Sequence, residues 1–145
     1  MFLPRRAIAA GLLAALTAGC GVGGSNDGLE AARPSTDAII VLSDGTRAVD
    51  RGAAEATDGT ITIETGEFFF SPTVISAPAG SELTVTVADT GQNVHNFRIA
   101  SQPVDLTLAE GDTETAVVHV PETGAVTFEC QFHLPTNMRG EIRAV

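Results

Sequence analysis

Ala125-Val126-Thr127-Phe128-Glu129-Cys130-Gln131-Phe132-His133-Leu134-Pro135-Thr136-Asn137-Met138 is the stretch from which this chain is best read. Side chains alternate along a strand, so Val126 and Phe128 share one face while Thr127 and Glu129 take the other. Cys130 falls in step with the two apolar residues and points inward at the end of a buried strand. Pro135 and Asn137 are turn residues, and Gly140 releases the chain into a closing strand, Glu141-Ile142-Arg143-Ala144-Val145. The loop between the strands carries a thiol, an imidazole and a thioether, in a chain with only two Cys and two Met.

A second imidazole, His95, stands in Val94-His95-Asn96-Phe97, just after a turn at Asp89-Thr90-Gly91. It comes from another strand end and ties the loop to a second part of the sheet. One thiolate, two imidazoles and one thioether suit copper that cycles between Cu(I) and Cu(II): sulfur favours the reduced ion and imidazole also suits the oxidised one. Bound copper would keep the thiolate deprotonated. With His95, Cys130, His133 and Met138 all engaged, no position is open to a substrate, which argues against an enzyme. Taken singly, a buried Cys is often a small hydrophobe, Met138 is core filler and His133 a surface residue; taken together these bland readings are strained. Zinc accepts one Cys and two His but gains little from a thioether, and a two-copper centre needs a second Cys in the loop. His119 lies opposite Ala116, Val118 and Val120 and reads as an exposed strand residue, not a ligand.

The rest of the domain reads as strands. Thr60-Ile61-Thr62-Ile63-Glu64 and Glu82-Leu83-Thr84-Val85-Thr86-Val87 alternate with period two, and residues 115–120 and 125–130 look similar. Gly, Pro and Asp punctuate the gaps between them, as in Pro78-Ala79-Gly80 and Glu110-Gly111-Asp112. Short alternating strands with turn signals between them predict an all-β fold, an antiparallel Greek-key sandwich of about seven or eight strands without a convincing helix.

The N-terminus has a different character. Arg5 and Arg6 precede an apolar run from Ala7 to Ala18, too short for a spanning helix and right for the h-region of an export signal. The run ends in Leu16-Thr17-Ala18-Gly19-Cys20, which resembles the lipobox of bacterial lipoproteins, with Thr17 where Leu is usual. The expected organisation is a signal peptide at 1–19, a lipidated Cys20 with a flexible tether to residue 57, and a copper domain over 58–145. An ordinary secretory signal and a Cys20–Cys130 disulfide are the rival readings. Exported Cys tend to pair, so a Cys130 left alone needs a purpose such as metal ligation. Within the tether, Ala38 to Leu42 is one short apolar run that adds at most an edge strand. The net charge of −10 falls to −12 once the two signal arginines are gone. That excludes phosphate neutralisation and hence nucleic-acid binding, and it suits a soluble monomer that meets a cationic partner.

Cys, two residues, His, four residues and Met, with an upstream His-Asn pair, resemble the ligand pattern of the cupredoxins, the blue copper proteins; the loop spacing is similar to that of plastocyanin. Glu67-Phe68-Phe69-Phe70-Ser71-Pro72 and Pro78-Ala79-Gly80 strengthen the likeness to small bacterial cupredoxins, which covers roughly residues 60–145. The resemblance implies a trigonal plane of His95, Cys130 and His133, a weak axial Met138, and an Asn96 that braces the Cys loop near Gln131. Val94 and Glu129 depart from the residues common before the first His and before the Cys, and a carboxylate at 129 is expected to lower the potential or alter the route to a partner. The function implied is a mononuclear copper electron carrier, exported and anchored to the outer face of the cell membrane or periplasmic, that exchanges electrons with a redox protein. The alternative is an extracytoplasmic copper-binding or copper-delivery lipoprotein.

Overall fold

A computed structural model describes residues 37–145; the export signal and Cys20 lie outside the described residues. The chain forms β1 (Ile39–Val41), β2 (Arg47–Val49), β3 (Ala53–Glu55), β4 (Thr60–Gly66), β5 (Phe69–Ser71) and β6 (Val74–Ala77), and then β7 (Glu82–Asp89), β8 (His95–Ile99) and β9 (Val104–Leu108). It continues through β10 (Thr113–His119) and β11 (Ala125–Glu129) to a short 3-10 helix (Gln131–Thr136) and β12 (Arg139–Ala144). One sheet has the order β10-β7-β4-β5, the other β3-β6-β12-β11-β8-β9, and β1 pairs with β2 alone.

The alternating runs behave as their periodicity dictates. On β7, Leu83, Val85 and Val87 are buried while Thr84 and Thr86 are half-buried. Three phenylalanines join the layers. The ring of Phe70 on β5 meets Phe97 on β8 and Phe128 on β11 edge-on, at 6.0 and 5.2 Å between centroids. Edge-to-face contacts are among the favoured geometries for aromatic pairs. With no Trp or Tyr in the chain, this trio supplies the bulk at the centre of the core.

The all-β sandwich is as expected, but its pairing is not purely antiparallel and its strands are more numerous. β4 runs parallel to β7, and β6 runs parallel to both β3 and β12. Successive segments cross between layers, so sheet neighbours are not sequence neighbours and can point the same way. Period-two alternation records which face is buried and says nothing of strand direction.

The tether expected as far as residue 57 is also corrected. Residues 37–57 carry three strands and part of the core. Leu42 and Ala48 are buried in a small cluster with Val74. The backbone N–H of Ser43 donates to the fully buried carboxylate of Glu141 at 2.8 Å. Each of these strands is only three residues long, too short for the burial pattern to show as a period in the sequence. The run from Ala38 to Leu42 therefore contains Ile39–Val41, the first strand among the described residues.

Register brings several chain reversals to one end of the sandwich. His95, at the start of β8, faces Leu108 at the end of β9, and Thr65 near the end of β4 faces Asp89 at the end of β7. Cys130 follows the end of β11 beside them.

A fragment beginning at residue 58 should be less stable than one beginning at 37 by on the order of 3 kcal/mol, the scale for stripping one or two buried aliphatic side chains from a core. Equal denaturation midpoints for the two fragments would contradict the packing described for β1 and β2.

Candidate metal centre

Cys130 is a free thiol with 0% exposure at the end of β11. It keeps an extended backbone and opens the 3-10 helix. Its N–H donates to the Met138 carbonyl at 3.1 Å, and its carbonyl accepts from the His133 N–H at 3.1 Å. The first bond closes the loop at its neck and the second tightens its first turn. Asn137 takes a left-handed backbone (φ 62°), a conformation Asn tolerates, and it reverses the chain into a buried Met138. The Thr136 hydroxyl donates to the His133 carbonyl at 2.7 Å. The ligand loop is thus tied internally by backbone and side-chain bonds.

His95 is fully buried at the head of β8. One donor atom from each of His95, Cys130 and His133 lies within 4.8 Å of the others. Cys130 Sγ is 3.3 Å from His133 Nδ1, and the two imidazole centroids are 4.9 Å apart. Both nitrogens of His95 lack a hydrogen-bond partner among the described residues. Buried polar atoms without partners are costly, and here they sit beside a sulfur and a second imidazole. Two nitrogens and a sulfur with no oxygen donor make a set that fits one copper ion. Met138 is brought to the same loop and fully buried, and Phe68 covers His133 with its ring centroid 4.6 Å away.

Asn96 follows His95 and is fully buried. Its Oδ1 accepts from the Gln131 N–H at 2.8 Å, and its own N–H points at Cys130 Sγ from 3.4 Å. Gln131 takes part through its backbone, and as a residue it is exposed. His119 is exposed on β10, 3.7 Å from Glu82, and is not in the cluster. Glu129 does not stand as an open charge beside the sulfur: Arg98 reaches it at 3.2 Å and Arg139 at 3.7 Å. Its charge is shared with two guanidinium groups.

Two carboxylates that the sequence reading passed over stand behind His95. Glu67 accepts from the Gln92 N–H at 2.5 Å, the Asn93 N–H at 2.9 Å and Asn93 Nδ2 at 2.7 Å. Its Oε2 is 3.8 Å from His95 Nε2. Asp89 is buried, and its Oδ1 accepts from the Gly91 N–H at 2.8 Å. Gly91 permits this crowding: a Cβ there would sit 2.8 Å from His95 Nε2 and 2.9 Å from Glu67 Oε1. The only sequence hint was a turn signal at Asp89-Thr90-Gly91.

Burial pushes the His95 imidazole below its ordinary range; Asp89 and Glu67 pull it back and His133 opposes them. Burial raises Asp89, and the Gly91 N–H offsets part of that. Burial also acts to raise Glu67, but the Asn93 and Gln92 donors and His95 together bring it below the usual carboxylate range. In the metal-free protein His95 is thus held neutral, the form that ligates.

The family model described as "cupredoxin-like domain" matches residues 38–144. No curated protein matches the sequence significantly. Among solved structures, the sodium-dithionite-reduced auracyanin of Roseiflexus castenholzii is 21% identical with a TM-score of 0.53, over 62% of this chain and 99% of that one. The metal-binding domain of the Cu(I)-exporting P-type ATPase CopA of Streptococcus pneumoniae, solved with Cu(I), is 15% identical with a TM-score of 0.56, over 66% and 97%. A heme-copper terminal oxidase dimer is 15% identical with a TM-score of 0.52, over 79% and 74%. At these identities the likeness is one of fold.

A depressed imidazole means that the unfolded chain takes a proton, as pH drops below about 6.5, that the folded chain refuses. Metal-free protein should lose stability as pH falls through the ordinary imidazole range, from about pH 7.5 downward. Asp89, raised above its ordinary value, slopes the other way, so the His95 contribution is read by difference. His95→Gln should flatten the fall; an identical pH profile in urea titrations of the two proteins would contradict this assignment.

Proposed function

This chain belongs to the cupredoxin-like family, and from that premise we propose that it is a mononuclear type 1 copper protein that carries electrons outside the cytoplasmic membrane. The convergence of Cys130, His95 and His133 from two separate segments, within 4.8 Å and largely away from water, carries the proposal. In this reading His95, Cys130 and His133 would hold the copper together with Met138, the weaker donor. Because Glu67 stands at Nε2 of His95, Nδ1 is the nitrogen left to the metal. Copper, when bound, supplies the one-electron chemistry. The protein supplies a preset, shielded ligand set that needs little rearrangement as charge arrives.

The electron leaves through His133. Its support is partial exposure: His133 is half-buried and lies between an exposed Phe132 and a half-buried Leu134. Val94 and Phe132 are 50% and 49% exposed, large values for apolar side chains, and they add apolar surface near this end. The partner is a redox protein, cationic to complement the net charge. Export and lipid attachment through Cys20, with the chain acting as a monomer, complete the reading. Copper delivery is the rival reading. Handing over a metal ion calls for an accessible sulfur, and Cys130 and Met138 are both fully buried, which favours the carrier. Enzymatic turnover is disfavoured because four protein ligands leave no open position.

Cu(II)-loaded protein should show an intense visible thiolate band and the narrow copper hyperfine splitting of a covalent thiolate site. Cys130→Ser should abolish the band and weaken copper binding by more than about 100-fold, since outer-shell changes alone cost about 10- to 100-fold. A band that survives this change would remove the basis of the proposal. Met138→Leu should keep copper and raise the potential, because a drier site with one donor fewer disfavours the more highly charged ion. Complete metal loss in Met138→Leu would show that the axial position is structural.

A further inference from the structure

Asp105 stands on β9 and is not one of the proposed ligands, yet it touches the group that braces the thiol. Its Oδ1 accepts from Asn96 Nδ2 at 2.7 Å. That bond fixes which end of the Asn96 amide faces the loop. With the NH₂ committed to a carboxylate, Oδ1 is left to accept from the Gln131 N–H at 2.8 Å. The Asn96 backbone N–H, on the same residue, is directed at Cys130 Sγ.

Asp105 is itself held. It is the cross-strand partner of Arg98, Arg98 is the partner of Glu129, and Glu129 is the partner of Arg139. The corresponding ion pairs measure 4.0, 3.2 and 3.7 Å. Charges therefore alternate in sign along one row across β9, β8, β11 and β12. The row crosses both stems of the ligand loop, because Glu129 immediately precedes Cys130 and Arg139 immediately follows Met138. Arg139 also donates to the Leu134 carbonyl inside the loop at 3.2 Å. A lone exposed ion pair contributes little, but a connected row with partly buried members orients side chains.

We propose that Asp105 is a positioning residue of the metal centre: it orients the Asn96 amide, which in turn fixes the Gln131 N–H and the sulfur of Cys130. Arg98 keeps the Asp105 carboxylate in place and couples it to the loop stems. The proposal rests on the copper reading for its effect on the metal, and on geometry alone for its effect on the loop.

The test uses Asp105→Ala, Asp105→Asn and, as a control, Glu110→Ala at an exposed site. In metal-free protein, hydrogen exchange of the Gln131 amide should quicken about 10-fold in Asp105→Ala, the change expected when one hydrogen bond of about 1.4 kcal/mol is lost from a local closure. Exchange should stay near the parent rate in Asp105→Asn, whose amide oxygen still accepts, and in Glu110→Ala. In Cu(II)-loaded protein, Asp105→Ala should shift the thiolate band and weaken copper binding about 10-fold, the lower end for an outer-shell change. Unchanged Gln131 exchange in Asp105→Ala overturns the proposal, whatever the metal does. Equal quickening in all three variants overturns it too, because that pattern means general loosening. If the unaltered protein gives no thiolate band while Gln131 exchange responds as described, the copper reading fails and the positioning role stands.

Discussion

A fully buried sulfur and a fully buried imidazole meet a second, half-buried imidazole at one end of this sandwich, and that arrangement is unfavourable by itself. The nitrogens of His95 are left without hydrogen-bond partners among the described residues, and burying polar atoms unpaired is costly. A metal ion would supply the partner that one of those nitrogens lacks and engage the sulfur and the second imidazole at the same time. Much of the surrounding structure reads as a way to hold the three donors in place without one. The neck of the loop is closed by Cys130 and Met138, Asn96 pins its first residue, and Phe128 and Phe97, each two residues from a donor, pack on one another in the core.

The sandwich makes that possible through stiffness. Its two layers meet in interlocked aromatic rings, and several chain reversals gather at the end where the donors converge. Loops that would move freely in isolation are there anchored to strands at both ends. The N-terminal hairpin extends the same logic, since the Val49 N–H donates to the Asn137 carbonyl at 3.1 Å, one residue before Met138. A hairpin of two three-residue strands thus supports the Met138 end of the loop.

The donors were legible because strand alternation is a strict rule. Val126 and Phe128 set the phase, and the phase put Cys130 inside. His95 could be read because its neighbours carried a turn and then a strand. Other features left no such trace. Whether two strands run parallel depends on crossings between layers, and nothing in the period of β4 or β7 records it. β1 and β2 are too short to show a period. Glu67 and Asp105 matter through partners far away in sequence, and no local pattern marks an acid that holds an amide across a sheet. The ion pairs of Glu129 have the same origin: its partners are on β8 and β12, out of sight from its place before Cys130.

X-ray absorption at the copper edge of the loaded, full-length protein tests the central claim most directly. The account predicts a first shell of two nitrogens and one short sulfur, with any second sulfur distant and weak. A shell of nitrogen and oxygen alone, or one with two equally short sulfurs, would contradict it.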